Sequence, residues 1–332
     1  MEFPRVSNWN LGSSGVSVKY DLVCEGGGTK IPGLVGAMYE LENHGFIPSH
    51  LAGTSAGSIV ASLRAAGYTP DQLKTLLLDL NFKDFLDGGA WGTKAYSVFT
   101  KHGIYKGDYF YNYMKDLLQT KGIRTFGDLL SDEHADLETQ RYRWKLKVFA
   151  SDISLERLVT FPDDATLYGM FPDDVEVAWA VRTSMSIPFF FHPVQKGKSY
   201  LVDGGLISNF PIWLWDSYNT EPEWPTFGLL LDEKDGPSRQ EPNKIGFWPH
   251  DFFLAIFRTM MKASDRRFIR PDDFNNRTIK IDTLGVGTTD FNLSAERKEA
   301  LFHSGRKAAE EFLKDWTFEE YVKWANKVRG IK

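Results

Sequence analysis

The sequence predicts an α/β fold: a mainly parallel central sheet flanked by helices, with a helical C-terminal extension. Three observations predict it. Short apolar strand patterns alternate with helix patterns from residue 19 onward, two early strands end on glycine-containing turns that open into helices, and capping signals separate the later helices.

The first strand is expected at 19–24 (KYDLVC), where the glycine run Gly26 to Gly28 stops it. A helix over 34–43 follows, with Leu34, Met38 and Leu41 on one face and Gly45 closing it. A short strand at 50–53 leads to Ser55, and a second helix over 56–66 ends at Gly67. Thr69, Pro70 and Gln72 form a capping-box start for a third helix reaching Leu80. Residues 81–138 are rich in aromatics and weak in period, which predicts a mostly helical insertion with long loops. Further strands are expected at 145–151, 157–161, 200–202, 227–231 and 278–281. Beyond Pro249, Phe253, Ile256, Phe257, Met260 and Met261 recur at helical spacing. Ser294 caps a long helix, and Thr317 with Glu320 forms a second capping box opening a last one.

At 332 residues and 42% hydrophobic content, the chain can bury a large core and reads as a single domain over 1–332. Its 39 basic and 44 acidic side chains give a net charge of -5, too balanced for a nucleic-acid surface or a polybasic membrane anchor. No signal-peptide pattern and no membrane-span pattern is present, so a cytoplasmic location is expected. The single cysteine, Cys24, excludes an internal disulfide and reads as a buried strand residue. Scattered histidines and acids with no ligand-loop spacing predict neither a metal site nor a cofactor.

Three short motifs carry chemistry. GTSAG, Gly53 to Gly57, has the Gly-x-Ser-x-Gly form of a nucleophile elbow, whose tight strand-to-helix turn leaves no room for flanking side chains. Chance alone puts that pattern in roughly one chain of this length in ten. The strand before it and the helix after it supply the context the motif requires. EGGGTK, Glu25 to Lys30, also links a strand to a helix, so its successive N–H groups can form an anion-binding concavity, an oxyanion hole in outline. It fails as a nucleotide loop, because Ile31 stands where a dinucleotide fingerprint needs Gly and no Gly-Lys-Ser/Thr is present. The plainer reading is a structural glycine turn. YLVDGG, Tyr200 to Gly205, ends an apolar strand on Asp203, which is either a turn former or an acid able to accept the serine proton. If the first two strands are parallel neighbours, both glycine turns open on one sheet edge, where ligands of open α/β sheets bind.

Together, GGGTK, GTSAG and DGG, in that order and with those strand contexts, make the sequence resemble the patatin-like phospholipases. The stretch Thr183 to Val194 and the pair Asn209 and Pro211 are also similar to family segments. The resemblance covers residues 18–232 as a catalytic core and leaves 245–332 as a helical C-terminal extension. It implies a three-layer patatin-like fold and a Ser/Asp dyad without histidine, carried by Ser55 and Asp203. The oxyanion would be held by backbone amides of Gly26, Gly27 and Gly28, with Lys30 at the family's basic position as a substrate-binding residue or a carbonyl cap. The family continues with Gly after that basic residue, whereas here Ile31 and Pro32 precede Gly33, so the loop is expected to bend differently.

The activity expected from this is a lipid acyl hydrolase of phospholipase A or lysophospholipase type, a serine esterase cleaving carboxylic esters through an acyl-enzyme. One alternative is a catalytically silent or regulatory lipid-binding protein of the same fold. Another is a Ser-His-Asp esterase using His250 or His303. Phospholipid or another fatty-acyl ester is the expected partner, with transient membrane-surface contact through aromatic clusters at 82–85, 109–113, 189–191 and 247–257, and no nucleic acid.

Overall fold

The structure, a computed structural model, describes residues 17–88, 97–98, 100–131, 141–216, 220–232, 252–253, 255–257, 259–261 and 276–330. The strands are β1 (Val18–Cys24), β2 (Phe46–Thr54), β3 (Gly103–Tyr105), β4 (Leu146–Asp152), β5 (Arg157–Phe161), β6 (Phe189–Phe191), β7 (Val194–Lys196), β8 (Ser199–Asp203), β9 (Thr226–Asp232) and β10 (Thr278–Asp282). The helices are α1 (Ile31–Asn43), α2 (Ala56–Ala65), α3 (Pro70–Asp79), α4 (Asp108–Thr120), α5 (Val177–Ser184), α6 (Ala295–Asp315) and α7 (Phe318–Arg329), with further helical residues at 252–253, 255–257 and 259–261.

The main sheet has the order β10-β9-β1-β2-β4-β8-β7, with β5 paired to β4. The five strands β10, β9, β1, β2 and β4 are mutually parallel, while β5 and β8 run antiparallel to β4. Parallel strands need both faces covered, and accordingly β4 is buried along its whole length and β1 from Tyr20 onward. On one face Tyr20, Leu22 and Cys24 enter the large core beneath α1, α2, α3 and α6. On the other, Val23, Ala52 and Phe149 pack against Phe210, Ile212 and Trp215. Burial pushes the Cys24 thiol pKa upward, as suits a core residue.

The C-terminal segment is built into this core. Strand β10 extends the sheet, and α6 crosses α1 so closely that a Cβ on Gly36 would stand 1.9 Å from the Phe302 carbonyl oxygen and one on Gly305 1.9 Å from that of Gly33. Two glycines on facing helices make that approach possible. The first capping box forms as expected, Thr69 and Gln72 exchanging side-chain and backbone bonds. The Ser294 and Thr317 hydroxyls accept the N–H groups of Arg297 and Glu320, the expected second box being a one-sided cap in which Glu320 does not reach back to the Thr317 N–H.

Some elements differ from the expectation. Strand β2 starts at Phe46, four residues before the expected start, and includes Pro48. Pro48 lacks an N–H and demotes a strand reading, but here it pairs only with Tyr20 of β1; β4 joins β2 from Leu51 onward. Strands β3 and β6, three residues each, pair as a small parallel sheet that has no periodic signal of its own.

Candidate active site

Each of the three motifs sits at a turn at the carboxyl edge of the parallel strands. After β2, Ser55 adopts φ +50° and ψ -129°, a left-handed conformation that costs a non-glycine residue about 1–3 kcal/mol and persists only where its surroundings hold it. The flanking glycines are required sterically. A Cβ on Gly53 would meet the Gly57 carbonyl at 2.4 Å, and one on Gly57 would meet the Cys24 oxygen at 2.3 Å. The second approach locks α2 against the end of β1.

The Ser55 hydroxyl donates to Asp203 Oδ2 at 2.6 Å. Asp203 reaches it by an unexpected route. Its strand β8 is antiparallel to β4, so the chain enters from beyond the rim, and register places Asp203 opposite Ala150, one residue past the Phe149 that pairs with Thr54. The acid therefore arrives level with Ser55. Its N–H donates to the Ser186 carbonyl at 2.9 Å, and its Oδ1 accepts the Gly205 N–H at 2.8 Å. Ser55 is 4% and Asp203 1% exposed. That burial pushes the Asp203 pKa up to about 7, against the lowering effects of the Ser55 and Gly205 hydrogen bonds.

The glycine loop lies alongside. A Cβ on Gly26 would stand 2.9 Å from Ser55 Cβ, so the loop backbone is in contact with the elbow. The Gly26 N–H, however, donates to the Asn209 carbonyl at 3.2 Å. Among the described residues the Gly27 and Gly28 N–H groups have no protein acceptor. Gly28 takes φ +58° and presses against Thr288, whose carbonyl accepts the Thr29 N–H at 3.2 Å. Lys30 ends this turn with 5% exposure, and its N–H donates to the Gly27 carbonyl at 3.3 Å.

Asn209 organises the loop further, donating from Nδ2 to the Gly26 carbonyl at 3.0 Å and to Glu25 Oε1 at 3.1 Å. Glu25 Oε2 in turn accepts the Leu231 N–H at 2.5 Å. No motif in the sequence assigned Glu25 this bracing role. An acid buried beside glycines was the available signal.

His303 is 59% exposed on α6, beside Glu299 one turn away, on the solvent side of that helix. His250 lies outside the described residues, as does Phe247. Among the described residues no group of three or more His, Cys, Asp or Glu side chains could hold a metal ion, and no helix is long and apolar enough to cross a membrane.

The family profile described as patatin-like phospholipase matches residues 22–214, a span from β1 through the Asn209 brace. The chain belongs to the patatin-like phospholipase family. That membership makes lipid hydrolysis the general class of its chemistry. The patatin-like chain is 36% identical over 311 residues to the uncharacterized protein YqhO of Bacillus subtilis (strain 168), covering 90% of this chain and 99% of that one. It is 27% identical over 202 residues to the probable lipid hydrolase 463L of Invertebrate iridescent virus 6, covering 60% of this chain and 64% of that one. Among solved structures, VipD from Legionella pneumophila superposes with a TM-score of 0.50 at 18% identity, over 89% of this chain and 66% of that chain, a likeness of fold.

Proposed function

We propose that this chain is a serine esterase of phospholipase A or lysophospholipase type, using Ser55 as nucleophile and Asp203 as its base. The observation that carries the reading is the 2.6 Å hydrogen bond between the Ser55 hydroxyl and a buried carboxylate whose pKa is pushed up to about 7. An ordinary carboxylate is a poor base for a hydroxyl; one raised toward neutrality is matched to the task.

In this reading Ser55 Oγ attacks the ester carbonyl carbon as its proton passes to Asp203 Oδ2. The resulting oxyanion is held by the Gly27 and Gly28 N–H groups. Gly26, whose N–H is already given to Asn209, serves as their brace. The protonated Asp203 returns the proton to the leaving alkoxide, leaving an acyl-Ser55. Water then adds to that acyl group, giving its proton to Asp203, and the fatty acid departs as Ser55 recovers its hydrogen. Each oxyanion donor is worth about 2.7 to 4 kcal/mol of barrier. Lys30, buried at the end of the glycine turn, belongs to the wall of the site in this reading.

Lipid as substrate is supported by family membership and by the exposed side chains of Phe252, Phe253, Ile256 and Met260, which fit transient contact with a membrane surface. The test is covalent labelling with a fluorophosphonate, which reacts only with an activated serine. Wild-type protein should label once per chain and hydrolyse a lysophospholipid, whereas Ser55→Ala should do neither. Labelling that survives in Ser55→Ala, or full turnover by folded Asp203→Asn, removes that residue from the mechanism.

A further inference from the structure

The Ser55 backbone is strained, so something beyond the flanking glycines must hold it, and the surrounding hydrogen bonds show what does. On the C-terminal side of Ser55, its carbonyl accepts both the Ser58 N–H at 2.9 Å and the Ser58 hydroxyl at 2.6 Å. On the N-terminal side, the Ser55 N–H donates to the Ser184 hydroxyl at 2.8 Å. Ser58 lies in the helix that Ser55 itself caps and moves with it. Ser184 is 129 residues away in sequence and belongs to the last turn of α5, so it ties the elbow to a different element.

We propose that Ser184 is a positioning residue for the nucleophile, its hydroxyl clamping the Ser55 peptide so that Oγ is aimed at Asp203. The proposal rests on the Ser/Asp reading above and goes further in naming what sets the geometry of that pair. A serine hydroxyl has one proton to give and lone pairs to receive. Ser184 gives its proton to the Phe149 carbonyl at 2.6 Å, which leaves its lone pairs facing the Ser55 N–H. Phe149 pairs with Thr54 across β4 and β2, so the clamp references the elbow to the sheet that carries it.

Two further contacts place the same segment against both catalytic groups. Met185 Sδ lies 3.8 Å from Ser55 Oγ, and the Ser186 carbonyl accepts the Asp203 N–H. Residues 184–186 therefore fix nucleophile and acid from a single turn of chain. Ser184 is fully buried, so no water takes over the two bonds when the hydroxyl is removed. The Ser55 N–H is spent on this clamp and is not available to an oxyanion.

The test compares wild type with Ser184→Ala and Ser184→Thr, using a fluorophosphonate probe and a soluble p-nitrophenyl ester. Labelling is read as the end point, moles of probe per mole of chain, and as the rate at which it is reached. A positioning role gives Ser184→Ala the wild-type end point, with labelling and kcat each about 10- to 100-fold slower and KM nearly unchanged. Ser184→Thr, which keeps the hydroxyl, regains most of the rate. A purely structural role lowers the end point with the folded fraction while what labels reacts at the wild-type rate; that outcome overturns the proposal, as does wild-type labelling by Ser184→Ala. If Ser184→Ala does not fold, Ser184→Cys decides: its thiol is a weaker acceptor and must slow labelling, and a wild-type rate overturns the proposal. Failure of the Ser/Asp reading is seen separately, as a wild-type chain that does not label or a Ser55→Ala chain that does, and either removes the basis for the clamp.

Discussion

Asp203 accepts the Gly205 N–H on Oδ1 at 2.8 Å, and that bond turns its other oxygen toward the Ser55 hydroxyl. The carboxyl is thus oriented by its own strand-end turn, and the burial of that turn sets its proton affinity.

Activity should follow the ionised form of Asp203, since only the carboxylate can accept the serine proton. With its pKa raised to about 7 by burial, kcat/KM on a soluble ester should rise as pH increases through neutrality and level off above it. A rate profile flat between about pH 5 and 8 would remove Asp203 as the base whose ionisation limits the reaction.

The same burial has the opposite consequence for stability. Asp203 moves from an ordinary value of 3.8 to about 7 on folding, so between those values the folded chain binds more protons than the unfolded one. Its contribution is fully present below 3.8 and is lost as pH rises through 7, so the site is least stable where it is most active. Asp203→Asn cannot ionise, and its melting temperature relative to wild type should be higher at about pH 8 than at about pH 5. A difference independent of pH would show that Asp203 titrates alike in both states.

Much of this site was legible in the sequence because its parts are short-range. GTSAG and EGGGTK each sit between a strand and a helix a few residues apart, and steric need for small residues writes itself directly as glycine. What sequence did not convey depends on distant partners. The antiparallel course of β8, which brings Asp203 down to the level of Ser55, follows from pairing with β4, some fifty residues earlier. The loss of the Gly26 N–H to Asn209 is likewise a contact over 183 residues, and no local pattern encodes it. Strands β3 and β6 were missed for the complementary reason, being too short to show alternation.

Gly26 should therefore be essential for a reason other than donating to the oxyanion. A Cβ there would stand 2.2 Å from Asn209 Oδ1 and 2.9 Å from Ser55 Cβ, and Asn209 is held by Glu25 and by the Gly26 carbonyl. Gly26→Ala should lower kcat/KM by about 100-fold or more and cost about 1–3 kcal/mol in urea unfolding. Gly67 is the control: its φ is +94° with nothing within 4 Å, so Gly67→Ala should cost about 1–2 kcal/mol of stability and leave kcat/KM unchanged. Equal kinetic losses in the two variants would show that the effect is one of general stability.

A helical stretch described at 252–253, 255–257 and 259–261 links the turn after Asp203 to an apolar surface. Its inner face carries Phe257 into a cluster with Ile187, Phe190 and Phe191, and Met261 Cγ lies 3.3 Å from where a Cβ on Gly205 would be. Its outer face exposes Phe252, Ile256 and Met260, and beside them Phe253 stacks on Phe189 at 4.1 Å and 17°. An interface-seeking face this close to Asp203 would bring an ester carbonyl from a lipid surface to the site without carrying the whole lipid through water. Replacing Phe252 and Ile256 together by Asp should lower hydrolysis of phosphatidylcholine vesicles by about tenfold or more, while a soluble p-nitrophenyl ester is turned over within about twofold of wild type. Equal loss on both substrates would mean that the face supports folding, and no loss on either would take lipid-surface contact out of the reading.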